Sequence, residues 1–311
     1  MVRQTTISLT KGDLMTQKQI IALGFFDGVH LGHCALLREC RRLADQLGCA
    51  AAALTFETHP EALVCGHAPR LLNTAGDRQR LLLAAGMDRV IVLPFDRNMM
   101  TMPWQSFFRL LVSKYQAAGL VCGHDFRFGS RGAGTPELLR AACEKEGIPC
   151  TVIPEQKLEE ITVSSTYIRT LVEAGELERA ARFLGHPHIF TGFVVPGQHL
   201  GRTIGVPTAN LCLPRDLAQP RRGVYACRAL VDGESYLAVT NVGCRPTVGG
   251  DHVTVEPWIL DFEGDLYGRE ITLEFHKFLR PEQRFDSLEA LRQEIRKNAE
   301  ETRAFFSGSS F

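Results

Sequence analysis

Two imidazoles, His30 and His33, stand three residues apart in Gly24-Phe25-Phe26-Asp27-Gly28-Val29-His30-Leu31-Gly32-His33. An apolar run, Ile20 to Leu23, precedes this stretch, and an amphipathic run, Cys34 to Leu47, follows it. That order predicts a strand, a tight glycine turn and a helix, with both rings on one face of the helix start. Unpaired N–H groups and the positive end of the helix dipole meet at the same point. Such a place suits an anion, a phosphate above all. The chemistry that fits is attack on the α-phosphate of a nucleoside triphosphate with pyrophosphate leaving, which needs positioning and charge stabilisation more than covalent help. Gly24, Phe26, Asp27 and Gly32 frame the pair. Capping, or chelation of a metal, would also use two histidines at this spacing, but no third ligand is near in sequence.

Three further stretches carry candidate chemistry. Ser164, Ser165 and Thr166 open a second predicted helix with Arg169 one turn in; hydroxyls, N–H groups and a guanidinium suit β- and γ-phosphates, as they also suit a plain helix cap. Residues 192–210 place Gly197, Gly201 and Gly205 at every fourth position, with Arg202 and Pro207 between or after them. Thr208 and Asn210 follow, two apart on a predicted strand and so on one face. A hydroxyl and an amide oxygen there could hold Mg²⁺ on the phosphates of ATP. This is not a Walker sequence, which needs Gly-Lys-Ser/Thr. Glu256 lies in the run Val253 to Asp261. It reads either as an exposed strand carboxylate or as the base that a kinase acting on an alcohol requires.

The elements that must position these residues fall into two halves. Through the first, strands alternate with helices: strands at Ala50–Phe56, Arg89–Pro94, Leu120–Cys122 and Cys150–Ile153, helices at Asp77–Ala85, Trp104–Ala118 and Pro136–Glu146. That predicts a mostly parallel sheet with helices on both faces and ligands beyond the carboxyl ends of its strands. The stretches 24–33, 57–60 and 123–129 each follow a predicted strand. Helices to about Ala174 and from Leu177 to Leu184 come next. After Gly185 the pattern changes to short alternating runs cut by Gly, Pro and Asp, expected at 189–195, 209–213, 223–231, 236–242, 253–261 and 270–275, an antiparallel barrel or sandwich. A closing helix carries Leu288, Leu291, Ile295 and Ala299 as its apolar stripe. Two domains result, 1–185 and 186–311.

Composition narrows the classes. The 311 residues have formal net charge zero, which argues against nucleic-acid binding by bulk charge. No apolar run approaches the ~18 residues of a membrane span. The polar start has no signal-type apolar core, so a cytoplasmic protein is expected. The ten cysteines form no C-x-x-C pair and read as free thiols.

Together the motifs resemble the bacterial bifunctional riboflavin kinase/FAD synthetase family over about residues 18 to 303. Gly24–His33, Leu54–Pro60, Gly123–Gly129 and Ser164–Arg169 carry the resemblance in the first half. Gly201–Leu211, Gly223–Tyr225, Asn241–Thr247, Leu260–Gly268 and Phe285–Leu291 carry it in the second. The resemblance implies a Rossmann-like nucleotidyltransferase domain and a riboflavin-kinase-type barrel. The barrel would turn riboflavin and MgATP into FMN and ADP. The first domain would turn FMN and ATP into FAD and pyrophosphate. It implies that His30, His33, Asp125, Arg127, Ser164 and Arg169 serve adenylyl transfer, and that Thr208, Asn210 and Glu256 serve the kinase, Glu256 as base. It implies no nucleic-acid or membrane partner and leaves transient oligomers open. The chain departs from the family pattern at Phe25 (usually Asn), Thr58 (Pro), Trp258 (His), Glu294 (Gln) and Asn298 (Asp). The alternative that Phe25 and Thr58 suggest is a riboflavin kinase with a weakened or regulatory adenylyltransferase half.

Overall fold

The computed structural model describes residues 17–197, 205–247 and 250–308. The chain divides into two compact units, one holding residues up to Pro69 with Arg78–Thr162, the other Arg70–Asp77 with Val163 onward.

The first unit contains strands β1 (Gln19–Leu23), β2 (Ala50–Phe56), β3 (Arg89–Leu93), β4 (Ala117–Gly123) and β5 (Cys150–Ile153) in one sheet, ordered β3-β2-β1-β4-β5 with every pairing parallel. Successive strand residues point to opposite faces, and both faces are covered, so the strands are apolar throughout. Ile21, Leu23, Ala52 and Leu54 pack against Phe107, Leu111 and Leu139 on one side. Ile20, Ala22, Ala51 and Ala53 pack on the other side against Leu37, Cys40 and Ala44 of helix α1 (Leu31–Leu47). Leu47, at the end of the expected amphipathic run, is exposed. From β1 the chain builds β2 and β3 to one side and then returns for β4 and β5 on the other. The order of strands therefore reverses between β1 and β4, and the crevice at their carboxyl ends is where such sheets take ligands. Both the 24–33 and the 123–129 stretches begin there.

Shorter helices complete the unit: α2 (Pro60–Val64), α3 (Ala75–Ala84), α4 (Arg97–Thr101), α5 (Trp104–Arg109) and α6 (Pro136–Lys145). α3 starts within the segment that groups with the second unit. The expected helix Trp104–Ala118 is shorter. After α5 the chain makes a π-turn over Leu110–Lys114, and Gln116 at φ 50° ends it, so Ala117 and Ala118 belong to β4. A hairpin of β6 (Lys157–Leu158) and β7 (Ile161–Thr162) turns through Glu159 and Glu160, both left-handed.

The second unit holds helices α7 (Ser165–Ala174) and α8 (Leu177–Leu184), then β8 (His188–Phe193), β9 (Leu211–Cys212), β10 (Gly223–Val231), β11 (Glu234–Thr247), β12 (Gly250–Ile259), β13 (Glu270–Arg280) and helix α9 (Leu288–Gly308). All sheet pairings are antiparallel, in the order β8-β13-β10-β11-β12-β9. The two outer strands meet where Val195 N–H donates to the Asn210 carbonyl at 2.9 Å, so the sheet curls to a nearly closed barrel. Strand β9 is shorter than expected, and β11 and β13 are longer. Residues 70–77 join this unit through the buried Asp77 carboxylate, which accepts the Thr191 hydroxyl at 2.5 Å and the Thr191 N–H at 3.2 Å.

His188 is 3% exposed against Phe275. Burial first, and His186 second, pull its pKa down to about 4. A base with a depressed folded pKa contributes stability above its unfolded value near 6.5 and loses it as pH falls toward 4. The loss amounts to up to about 3 kcal/mol. Urea unfolding from pH 7 to 4 should show this slope in the wild type and a flatter one in His188→Leu; equal slopes would remove His188 as the cause.

Candidate active sites

In the first unit, β1 ends at Leu23 and the chain turns sharply before α1. The turn holds Phe26 at φ 61°, Gly28 at φ 78° and Val29 at φ 41°. Left-handed geometry is rare outside glycine and strained for a β-branched residue, so the surroundings must hold it. They do so through Gly24 N–H to the Leu54 carbonyl at 3.2 Å, Val29 N–H to the Phe26 carbonyl at 3.1 Å and the Thr55 hydroxyl to the Phe25 carbonyl at 2.7 Å. A Cβ on Gly24 would stand 3.1 Å from the Phe26 ring, which is wholly buried.

The turn delivers His30 as the N-cap of α1, where its Nδ1 accepts the His33 N–H at 3.3 Å. The two rings stack with centroids 3.7 Å apart, and Phe26 meets His33 edge-on at 5.2 Å. With Nδ1 as acceptor, a neutral His30 carries its proton on Nε2. His30 is buried, and His33 is half-buried with its Nδ1 enclosed. Burial, and then His30, hold the His33 pKa well below the usual range for histidine. At neutral pH His33 is therefore an uncharged imidazole, stacked on His30 at the N-terminus of a 17-residue helix. Such a pair can donate hydrogen bonds to an oxyanion. Asp27 is buried within the turn and Gly32 lies in the first turn of the helix. Asp125 and Arg127, just after β4, are exposed, and the Asp125 carboxylate folds back over Gly123.

Ser164, Ser165, Thr166 and Arg169 fall in the second unit. Ser164 caps α7, its Oγ accepting the Tyr167 N–H at 3.2 Å. Arg169 donates to the Thr166 hydroxyl at 3.4 Å, so Arg169 and Thr166 share one face of the helix start.

A cavity of about 370 Å³ opens between strands β10–β12 and helix α9. Alternation along β12 buries Val255 and Pro257 and leaves Glu256 and Trp258 half-buried toward the cavity. Asn241 of β11 stands directly opposite Glu256 in the ladder, and Thr208 lines the same space. The far wall is apolar: Phe285 with Leu288, Leu291 and Ile295 of α9. Those α9 residues were expected as a core stripe. Leu288 is 56% exposed because the stripe faces a cavity, whereas Ala299 joins Val224 and Val239 in packed core. At its polar end Arg280 donates to Asn298 Oδ1 at 3.1 Å and lies 3.4 Å from Glu294. The carboxylate opposite Arg280 thus sits on Glu294, one turn from Asn298.

Thr208 and Asn210 flank the buried Ala209, whose N–H donates to the Pro257 carbonyl at 2.9 Å; the expected one-sided placement comes from this short extended segment ahead of β9. Gly197 makes room for it. A Cβ there would lie 2.2 Å from the Asn210 amide nitrogen. Gly197→Ala should therefore displace Asn210 and lower kinase turnover by about 10²-fold, as measured by FMN formation, with β9 pairing intact. Among the described residues no group of three His, Cys, Asp or Glu could hold a metal. Thr208 and Asn210 offer neutral oxygens only, a donor set that fits Mg²⁺ arriving with phosphates rather than a resident ion. Pro207 and Gly205 are exposed on the approach to Thr208, while Gly201 and Arg202 lie outside the described residues.

Asn241 and Arg280 are additions to the expected set. Asn241 lies in the Asn241–Thr247 stretch, which by itself points to no chemistry, and Arg280 lies at the end of β13.

Two family profiles match the chain: FAD synthetase over residues 13–167 and riboflavin kinase over 184–306. Bifunctional riboflavin kinase/FMN adenylyltransferases from Listeria monocytogenes, Pseudomonas fluorescens and Escherichia coli K12 are 34%, 38% and 38% identical to it. The alignments cover 93%, 94% and 92% of this chain and 92%, 94% and 92% of theirs. A crystal structure titled macrolide-efflux protein, from Streptococcus pneumoniae, superposes with a TM-score of 0.83 at 30% identity, covering 93% of this chain and 94% of that one. No helix among the described residues is long and apolar enough to cross a membrane. The matches run the length of both units, and the chain belongs to the family of bifunctional riboflavin kinase/FMN adenylyltransferases.

Proposed function

We propose that the barrel, within residues 186–311, phosphorylates riboflavin to FMN and that the sheet domain, within 1–185, adenylylates FMN to FAD. The observation that carries the reading is Glu256 with Thr208 and Asn241 on one wall of a cavity whose opposite wall is apolar. A flat, apolar ring can lie on α9 and Phe285 while a polyol chain runs toward Glu256. Glu256 then accepts the proton of the terminal hydroxyl as its oxygen attacks the γ-phosphate of ATP, and ADP leaves. Mg²⁺ carried in with ATP would be held by Thr208 Oγ1 and Asn210 Oδ1 and would neutralise phosphate charge.

In the sheet domain an oxygen of the FMN phosphate attacks the α-phosphate of ATP and pyrophosphate leaves. Gly24, Phe26, Asp27 and Gly32 shape the turn around the phosphates, and His30, His33 and the N–H groups of α1 receive the charge that develops. Because burial keeps His33 neutral, this ring acts as a hydrogen-bond donor through its one N–H. Asp125 and Arg127 flank the nucleotide; Ser164, Ser165, Thr166 and Arg169 keep, in this reading, the phosphate-binding role that their motif implies. Gly201, Arg202, Gly205 and Pro207 belong by the same reading to the loop over the kinase nucleotide. Ten free thiols suit the cytoplasm, where ATP and riboflavin are at hand.

Incubating purified protein with riboflavin, ATP and Mg²⁺ and resolving the flavins by chromatography tests this. FMN followed by FAD is expected; FMN alone would favour the weakened adenylyltransferase, and neither product would overturn the reading. Phe25 packs edge-on against His59 at 4.6 Å, and the FMN-to-FAD step of this assay decides whether it weakens adenylyl transfer.

A further inference from the structure

Arg78, in α3, is among the largest fully buried side chains, at 1% exposure. Its guanidinium lies 4.1 Å over the Phe25 ring. Nη2 donates to the Phe56 carbonyl at 2.7 Å, at the end of β2. Asp27 supplies a countercharge that partly offsets the cost of burying the cation. Nε and Nη1 are buried without a hydrogen-bond partner among the described residues. A buried cation with two unanswered donors is a poor way to stabilise a fold, since an apolar side chain of similar length would serve as well or better. Stability therefore does not explain the residue.

Its contacts do. Phe25 and Phe56 are the places where β1 and β2 hand the chain to the two loops at the sheet's carboxyl rim, and Asp27 lies inside the strained turn that ends at His30. One guanidinium touches the first two and acts electrostatically on the third. A strained turn persists only where its neighbours over-determine it. With Phe25 in place of the family's usual Asn, a flat π face meets the cation, and His59 closes the ring's edge.

We propose that Arg78 is a positioning residue for adenylyl transfer: it clamps Phe25 and Phe56 and so fixes the turn that presents His30 and His33. The inference rests on the reading of the sheet domain as the adenylyltransferase. It predicts an effect on turnover without an effect on stability, the reverse of what a structural residue shows.

The test uses the full chain with Arg78→Met and Arg78→Lys. For Arg78→Met, kcat for FAD formation from FMN and ATP should fall about 10²-fold while both KM values stay within about threefold. The unfolding midpoint should hold or rise, and riboflavin phosphorylation, measured in the same preparation, should be unchanged. Arg78→Lys, which keeps the charge over Phe25 but not the planar fork, should recover part of the rate. Wild-type FAD turnover in Arg78→Met would overturn the proposal, and so would a parallel loss of both activities with a lowered midpoint.

If Arg78→Met fails to fold, Phe25→Leu removes the π face and keeps the bulk; it should lower kcat, and unchanged kcat would overturn the clamp. Where both single variants fold, the double variant should lose less than the product of the two losses, and independent effects would overturn the coupling. NMR of the two imidazoles gives a readout apart from turnover: their ring signals should shift in Arg78→Met, and unshifted signals overturn the proposal. Absence of FAD from the wild type would instead mark failure of the functional reading, with the imidazole signals still deciding the clamp.

Discussion

In Glu256→Gln, FMN formation from riboflavin and MgATP is expected to fall by roughly 10³-fold, because a general base commonly supplies a factor of this order and an amide cannot take the proton. The substitution is nearly isosteric. Glu256 is paired with Asn241 across the ladder and flanked by the buried Val255 and Pro257, so the strand register should not change. FAD formation from supplied FMN should stay within about twofold, since that step uses residues elsewhere. The informative comparison is the two rates in one preparation. FMN formation within about threefold of wild type would remove Glu256 as the base and leave it as a residue that merely borders the cavity.

The complementary result is expected from His30→Asn combined with His33→Gln. Alanine at position 30 would delete the N-cap of α1 along with the ring, at about 1 kcal/mol. Asparagine keeps a side-chain acceptor for the His33 N–H and removes the imidazole. FAD formation should drop by about 10³-fold or more, as expected when donors aimed at a developing oxyanion are lost. FMN should accumulate at the wild-type rate. Should FMN formation fall in parallel in a folded double variant, the division of labour between the two units would be wrong.

Much of this was legible in the sequence, for identifiable reasons. The parallel sheet follows from apolar strands alternating with amphipathic runs, and the imidazole pair from its place between a glycine turn and a helix. The face shared by Thr208 and Asn210 was readable because extended chain alternates, although the strand itself is only two residues long. The misses lie where local signals compete with tertiary ones. The run Trp104–Ala118 has continuous helical character, but Gln116 adopts a left-handed conformation and its carbonyl accepts the Gln19 N–H as Ala117 enters the sheet. The β6–β7 turn uses two left-handed glutamates where a reader looks for Asn-Gly. Leu288 looks like core by period, and the cavity beside it has no sequence signature. Arg78 has none either. An arginine in a helix is ordinarily a solvated charge, and nothing local says that two phenylalanines and an aspartate will enclose it.

The meeting of Val195 and Asn210 has a consequence for how the barrel behaves in solution. The residue that closes the seam through its carbonyl is the one whose side-chain amide is proposed to meet the metal-bound nucleotide. Loading the site should therefore act as a zip: the Val195 amide should exchange its hydrogen with solvent readily in the free enzyme and far more slowly with MgADP bound, while amides along the β10–β11 ladder hardly change. Substrate would then be part of what completes the barrel, and the protection of one backbone amide would report occupancy of a site it does not touch.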